Sequence, residues 1–154
     1  MMGVAALSLD FSAPPTLTMQ RPVRMEYAGE AAALSRPAMD WLHDANHRLI
    51  QLMSLPIGWD GHYGRPVTWT AGSYALQVLQ AIMKPHVPLA AIMPLSSGGV
   101  QLEWHRKGWD LEIEIVRPSE LHVYTHQLAS GREEEFSVAY DLSRLAEVIA
   151  HIQD

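Results

Sequence analysis

Residues 100–115 read VQLEWHRKGWDLEIEI, a stretch from which most of the predicted sheet follows. Apolar and polar side chains alternate on both sides of Lys107-Gly108, a period that is typical of β-strands. A two-residue turn at Lys107-Gly108 places Arg106 opposite Trp109. The resulting register pairs apolar residues on one face: Val100 with Ile115, Leu102 with Ile113, and Trp104 with Leu111. The stretch therefore predicts an antiparallel hairpin with one apolar face.

The opposite face of this hairpin is predicted to be polar and acidic. Its pairs are Gln101 with Glu114, Glu103 with Glu112, and His105 with Asp110. Two facing glutamates repel each other, unless both turn into water or a nearby Lys or Arg screens them. A basic group from a partner could also compensate, as could a shared proton, which would give a general acid. A metal ion is a further alternative, since Glu103, Glu112 and His105 would suit manganese, iron or zinc.

The elements around the hairpin follow from apolar periodicity and from breakers. Helices are predicted over residues 36–53 and 70–83, strands over 91–95, 121–127 and 134–140, and a last helix after Asp141. On the second of these strands His122, Tyr124 and His126 share one face, and they join the polar surface if the strand order allows it. The predicted class is α+β: two helices, a four- to five-stranded antiparallel meander and a C-terminal helix, with the helices on one sheet face. Residues 35–154 form this single domain, and residues 1–34, broken by prolines, are predicted to be a loosely ordered arm.

The first predicted helix carries two apolar stripes. One contains Met39, Leu42, Leu49, Ile50 and Met53, and the other contains Trp41, Ala45 and Leu52. One stripe suffices for docking on one surface, so the second indicates burial on two sides or contact with a partner. Trp41 and Leu52 are therefore candidates for a partner interface.

The loop over residues 58–64, GWDGHYG, is the most distinctive local motif. Asp60 could cap a turn through its downstream amides, in a tight structural loop that Trp59 plugs against the fold. Alternatively, Asp60 and His62 could serve as a base or metal ligands, or a small ligand could stack on Trp59 or Trp69. The spacing matches no phosphate-binding or nucleophile motif.

Composition limits the classes of function. The net charge is −6 and only 11 residues are Lys or Arg, which disfavours direct contact with nucleic acid. The chain has no cysteine, which excludes a disulfide scaffold, a thiolate zinc site and a cysteine nucleophile. No signal peptide and no membrane-spanning run is expected, so the predicted location is the cytoplasm. We predict no bound metal or other cofactor.

From about residue 55 to residue 152 the chain resembles a set of small bacterial proteins of unknown function. The shared pattern is the loop GWDGHYG at 58–64, a Pro-rich link, GVQLEWH at 99–105 and DLEIE at 110–114. The resemblance implies a bacterial origin and an accessory role, and it implies no catalytic residues.

The leading hypothesis is a non-enzymatic interaction protein, an accessory, inhibitory or antitoxin-like subunit that binds a more basic protein. The candidate binding residues are Trp59, Asp60, His62, Glu103, His105, Glu112 and Glu114. A homo-oligomer is also open. The alternatives are a metal-dependent hydrolase that uses Glu103, Glu112 and His105, and a small-ligand-binding module at Trp59 and Trp69.

Overall fold

The structure, a computed structural model, describes residues 36–84 and 87–153 and has the predicted α+β order. Its elements are α1 (Arg36–Met53), α2 (Trp69–Ile82), β1 (Ala91–Pro94), β2 (Val100–Arg106), β3 (Trp109–Arg117), β4 (Glu120–Gln127), β5 (Arg132–Val138) and α3 (Ser143–Gln153). The predicted N-terminal arm, residues 1–34, lies outside the described residues. Among those that are described, no helix is both long and apolar enough to cross a membrane.

The five strands form one antiparallel sheet in the order β1-β2-β3-β4-β5. The predicted hairpin register is confirmed, with Val100 opposite Ile115 and Arg106 opposite Trp109. The turn residues Lys107 and Gly108 have φ values of 51° and 77°. Positive φ at both positions is the geometry of a type I′ turn, whose twist matches that of the strands.

Replacing Lys107 by asparagine is expected to stabilise the fold by roughly 0.5–1 kcal/mol, because asparagine tolerates the left-handed conformation better. Lys107 is exposed, so the change removes no buried contact. Urea unfolding measures the difference in stability. Lys107→Gln is the control, because glutamine, like lysine, does not favour a positive φ. A less stable Lys107→Asn variant would contradict this explanation.

The register between β3 and β4 depends on an irregularity at Val116. Arg117 lies opposite Glu120, yet Ile115 lies opposite Leu121, because the register shifts between residues 115 and 117. If the pairing had continued regularly from Arg117 and Glu120, Ile115 would have been opposite His122. The extra residue of the bulge keeps apolar side chains together on one face.

The hydrophobic core contains alternate strand residues and one side of each helix. Leu102, Ile113 and Val123 of the central strands are fully buried in the same cluster as Leu79 of α2 and Leu145 of α3. The core is thus continuous from the sheet to all three helices.

On α1 the core contains residues of both predicted apolar stripes. Ala45, Leu49 and Leu52 lie in the core, whereas Ile50 is 51% exposed. The prediction that Leu52 faces a partner is wrong, because only 2% of this residue is exposed and it packs inside the chain. Trp41 is partly buried against the same core.

Candidate functional site

The face of the sheet that is not part of the core carries three rows of polar side chains across β2, β3, β4 and β5. The rows are Gln101–Glu114–His122–Ser137, Glu103–Glu112–Tyr124–Glu135 and His105–Asp110–His126–Glu133. We call these twelve residues the polar sheet face. All of them are exposed or partly exposed.

Six carboxylates and three imidazoles lie in these rows, and none of the twelve residues is Lys or Arg. The chain has 17 Asp and Glu residues against 11 Lys and Arg residues. The six carboxylates therefore equal the whole excess of negative charge. At the rim, Arg117 forms an ion pair with Glu120. The polar sheet face thus brings six of the 17 acidic residues of the chain together on one surface.

Glu103 and Glu112 face each other at the centre of the polar sheet face, as the hairpin register predicted. The amide of Gln101 lies between them, with Nε2 2.6 Å from Oε1 of Glu103 and 3.4 Å from Oε2 of Glu112. Burial, and then the charge of Glu103, raise the pKa of Glu112. A neutral amide thus offsets part of the repulsion between the two carboxylates.

Asp110 lies between two imidazoles in the third row. Its Oδ1 is 2.7 Å from Nδ1 of His105, and its Oδ2 is 3.5 Å from Nδ1 of His126. The hydrogen bond to Asp110 raises the pKa of His105, and the same bond lowers the pKa of Asp110. Nε2 of His105 also lies 3.6 Å from Glu103. This row gains positive charge as the pH falls.

The predicted metal ligands Glu103, Glu112 and His105 do not converge on one point. Within residues 36–84 and 87–153, no group of three or more His, Asp or Glu side chains has an arrangement that could hold a metal ion. The imidazole nitrogens of His105 face two different carboxylates, and one oxygen of Glu103 accepts from Gln101. The metal-site alternative is therefore not supported by this geometry.

A shallow pocket of about 210 Å³ lies on the polar sheet face over β3, β4 and β5. Its wall contains the carboxylates of Glu112, Glu114 and Glu135, with Tyr124 and His122 beside them. Burial, and then a hydrogen bond with Glu133, raise the pKa of the Tyr124 phenol. A pocket lined by three acids and an aromatic ring suits an ammonium or guanidinium group.

The loop over residues 58–64 is closed by its own hydrogen bonds. Oδ1 of Asp60 accepts from the amides of His62 at 2.9 Å and Gly64 at 3.0 Å, and Oδ2 accepts from the hydroxyl of Ser96 at 2.8 Å. These bonds lower the pKa of Asp60, and the His62 amide has the largest effect. Trp59 donates from Nε1 to the carbonyl of Arg65 at 2.9 Å. The geometry supports the structural interpretation of this loop.

The sequence-predicted candidates thus fall into two separate groups. Glu103, His105, Glu112 and Glu114 lie together on the polar sheet face. Asp60 is instead tied to Ser96 in the turn after β1. Among the described residues, no hydrogen bond or ion pair joins Trp59, Asp60 or His62 to the polar sheet face. Trp69, at the start of α2, is 74% exposed.

Four acidic or aromatic members of the face were not among the predicted site residues: Asp110, Tyr124, Glu133 and Glu135. Their period of two along β3, β4 and β5 is the signal that could have identified them, once the strand order is known. No protein-family model, no curated protein and no solved structure matches this chain.

Proposed function

We propose that this chain is a non-enzymatic interaction module, an accessory or inhibitory subunit of the antitoxin kind, which binds a basic protein through the polar sheet face. The observation that carries the proposal is the segregation of charge: six carboxylates and no Lys or Arg in three adjoining rows. Complementary charge of this kind speeds encounter with a basic partner and selects against acidic ones.

We infer that the three helices all cover the apolar face of the sheet and leave the polar face open. The core cluster contains residues of α1, α2 and α3 together with the alternate strand residues that point away from the polar rows. From strand spacing, the rows span roughly 15 Å by 14 Å. This area of about 200 Å² is about a quarter of what one partner buries in a standard interface, so a protein bound here would extend beyond the rows. The flatness of the face suits a helix, strand or loop of a protein better than a small metabolite, which usually binds in a concave site.

The pocket at Glu112, Glu114, Tyr124 and Glu135 gives such a partner a point of attachment. A Lys or Arg side chain that enters it would meet carboxylates and an aromatic ring together. Interface residues that fill a central pocket usually contribute most of the binding energy. We therefore expect one basic side chain of the partner to insert between β3 and β5.

Affinity capture from the source cells tests the proposal with three immobilised proteins. They are the wild type, a face variant (Glu103→Gln with Glu112→Gln) and a matched variant that removes two charges elsewhere (Asp44→Asn with Glu147→Gln). Asp44 and Glu147 are exposed on α1 and α3. The proposal predicts that one basic protein is retained by the wild type and the matched variant and lost from the face variant. Equal retention by all three, or retention of only acidic proteins, contradicts it.

Binding of the captured partner is expected to weaken as the pH falls from about 8 to about 6. The charged groups that face His105 are Asp110 and Glu103, and His126 lies against Asp110 from the neighbouring strand. Because Asp110 raises the pKa of His105, this imidazole becomes charged at a higher pH than a free one. One added positive charge about 4 Å from a basic group costs about 1 kcal/mol in water, so the expected loss of affinity is at most about fivefold.

The effect of the same proton on stability has the opposite sign. A raised pKa means that the charged imidazole favours the folded chain, so this contribution is present at low pH and is lost as the pH rises through the folded-state value.

Titration calorimetry at the two pH values, on the wild type and on His105→Gln, measures the effect of pH on binding. His105→Gln should reduce the pH dependence, and tighter binding at the lower pH would contradict the assignment.

A further inference from the structure

A groove runs along the outer side of α1 and α2, away from the polar sheet face. It contains two adjoining cavities of about 290 Å³ and 410 Å³, which share Asn46, Leu76 and Gln80 in their walls. Trp69 lines the first cavity, and Leu42 lines the second. We call this feature the helix groove.

The walls of the helix groove carry no Asp, Glu, Lys or Arg on either helix. The whole of α2, WTAGSYALQVLQAI, lacks these four residue types as well. A helix side that faces water usually carries charges. Here the wall residues carry amides, one hydroxyl, apolar groups and the imidazole of His43, and a lack of Asp, Glu and Lys is typical of the centre of a surface that another protein covers.

We infer that a second copy of this chain docks in the helix groove about a two-fold axis. In such a contact the same patch meets itself, so a charged patch would face its own charge. Asn46, Gln77 and Gln80 each carry both a donor and an acceptor, so they can pair with their own copies. A wall without Asp or Glu offers a basic partner no counter-charge, which makes this surface distinct from the polar sheet face.

The distribution of charge is compatible with the same occupant. In a contact through the helices, two helix layers and two sheets separate the acidic faces, a distance of about 30 Å from ordinary layer spacings. The Debye length at physiological salt is about 8 Å, so the two acidic faces would not repel each other measurably. The dimer would present its two polar sheet faces at opposite ends.

Sedimentation equilibrium of the full chain, up to about 100 µM, tests the inference. The wild type is expected to sediment as a dimer. Gln80→Glu adds a charge to the shared wall of the two cavities and should weaken self-association about tenfold or more. The matched control is Gln51→Glu, an exposed glutamine of α1 that does not line the groove. It should leave the dimer intact.

A second pair of variants gives a larger effect. Leu76→Glu places a carboxylate in the middle of the groove and should weaken the dimer about 100-fold or more. Its control is Leu128→Glu, since Leu128 is 57% exposed in the turn between β4 and β5. Circular dichroism shows whether each variant folds. If Leu76→Glu does not fold, Gln80→Glu alone tests whether the dimer forms through the helix groove. A monomeric wild type, or a dimer that survives both groove variants, overturns the inference. Neither result depends on what the polar sheet face binds.

Discussion

Replacing Gly64 by alanine is expected to lower the melting temperature by about 2–12 °C, from an overpacking cost of about 1–3 kcal/mol. A Cβ at this position would lie 2.7 Å from Cγ and Oδ2 of Asp60. The carboxylate cannot move away without losing its bonds to the His62 amide, the Gly64 amide and the Ser96 hydroxyl. The loop would then lose its attachment to the turn after β1.

A double-mutant cycle separates this clash from a general intolerance of the position. Asp60→Ala removes the carboxylate and makes room for the new methyl group. In that background Gly64→Ala should cost much less than it does in the wild type. Thermal unfolding of the wild type, both single variants and the double variant gives the four values. Costs that simply add would show that Gly64 is required for another reason.

Replacing Glu112 by lysine is expected to weaken binding of the basic partner by about 100-fold, while the fold becomes more stable by about 0.2–1 kcal/mol. Binding falls because the variant puts a positive charge at the centre of the polar sheet face and in the wall of its pocket. Stability rises because an ammonium group, in place of a second carboxylate, then faces Glu103. The raised pKa of Glu112 has the same sign, since its ionised form costs stability above the folded-state pKa.

The two opposite changes make this prediction specific. A residue that matters only for folding would lower stability and binding together. The matched control is Glu147→Lys, which makes the same change of charge on the exposed side of α3. It should leave the affinity within about threefold of the wild type, because exposed charges more than a Debye length away are screened. Equal losses of affinity in both variants would point to net charge rather than to this surface.

The register of the central hairpin could be predicted because two independent signals agree. The alternation of residues 100–115 and the two-residue turn both set Leu102 against Ile113. The next register could not be obtained by counting from the turn at Pro118-Ser119. The bulge at Val116 shifts it by one residue, and the need to keep Ile115 with Leu121 in the core overrides the regular pairing.

The candidate site was predictable in its outline and not in its details. The facing glutamates follow from the hairpin register alone. The amide that bridges them does not, because it depends on the rotamer of Gln101 in the folded sheet. Leu52 was a candidate for a partner interface although it is buried, since periodicity gives two stripes on α1 but not how much of each the core covers. For Asp60, the local turn that the sequence suggested agrees with the structure, in which its carboxylate accepts from the His62 and Gly64 amides.

An NMR titration of the isotope-labelled chain with the captured partner shows which surface the partner binds. If the polar sheet face is the binding surface, the largest amide shifts will centre on Glu112, Tyr124 and Glu135, and the Glu112→Lys variant will show none of them at the same concentrations. Shifts that centre on the loop at residues 58–64 or on the helix groove, with the polar rows unchanged, would show that the partner does not bind the polar sheet face.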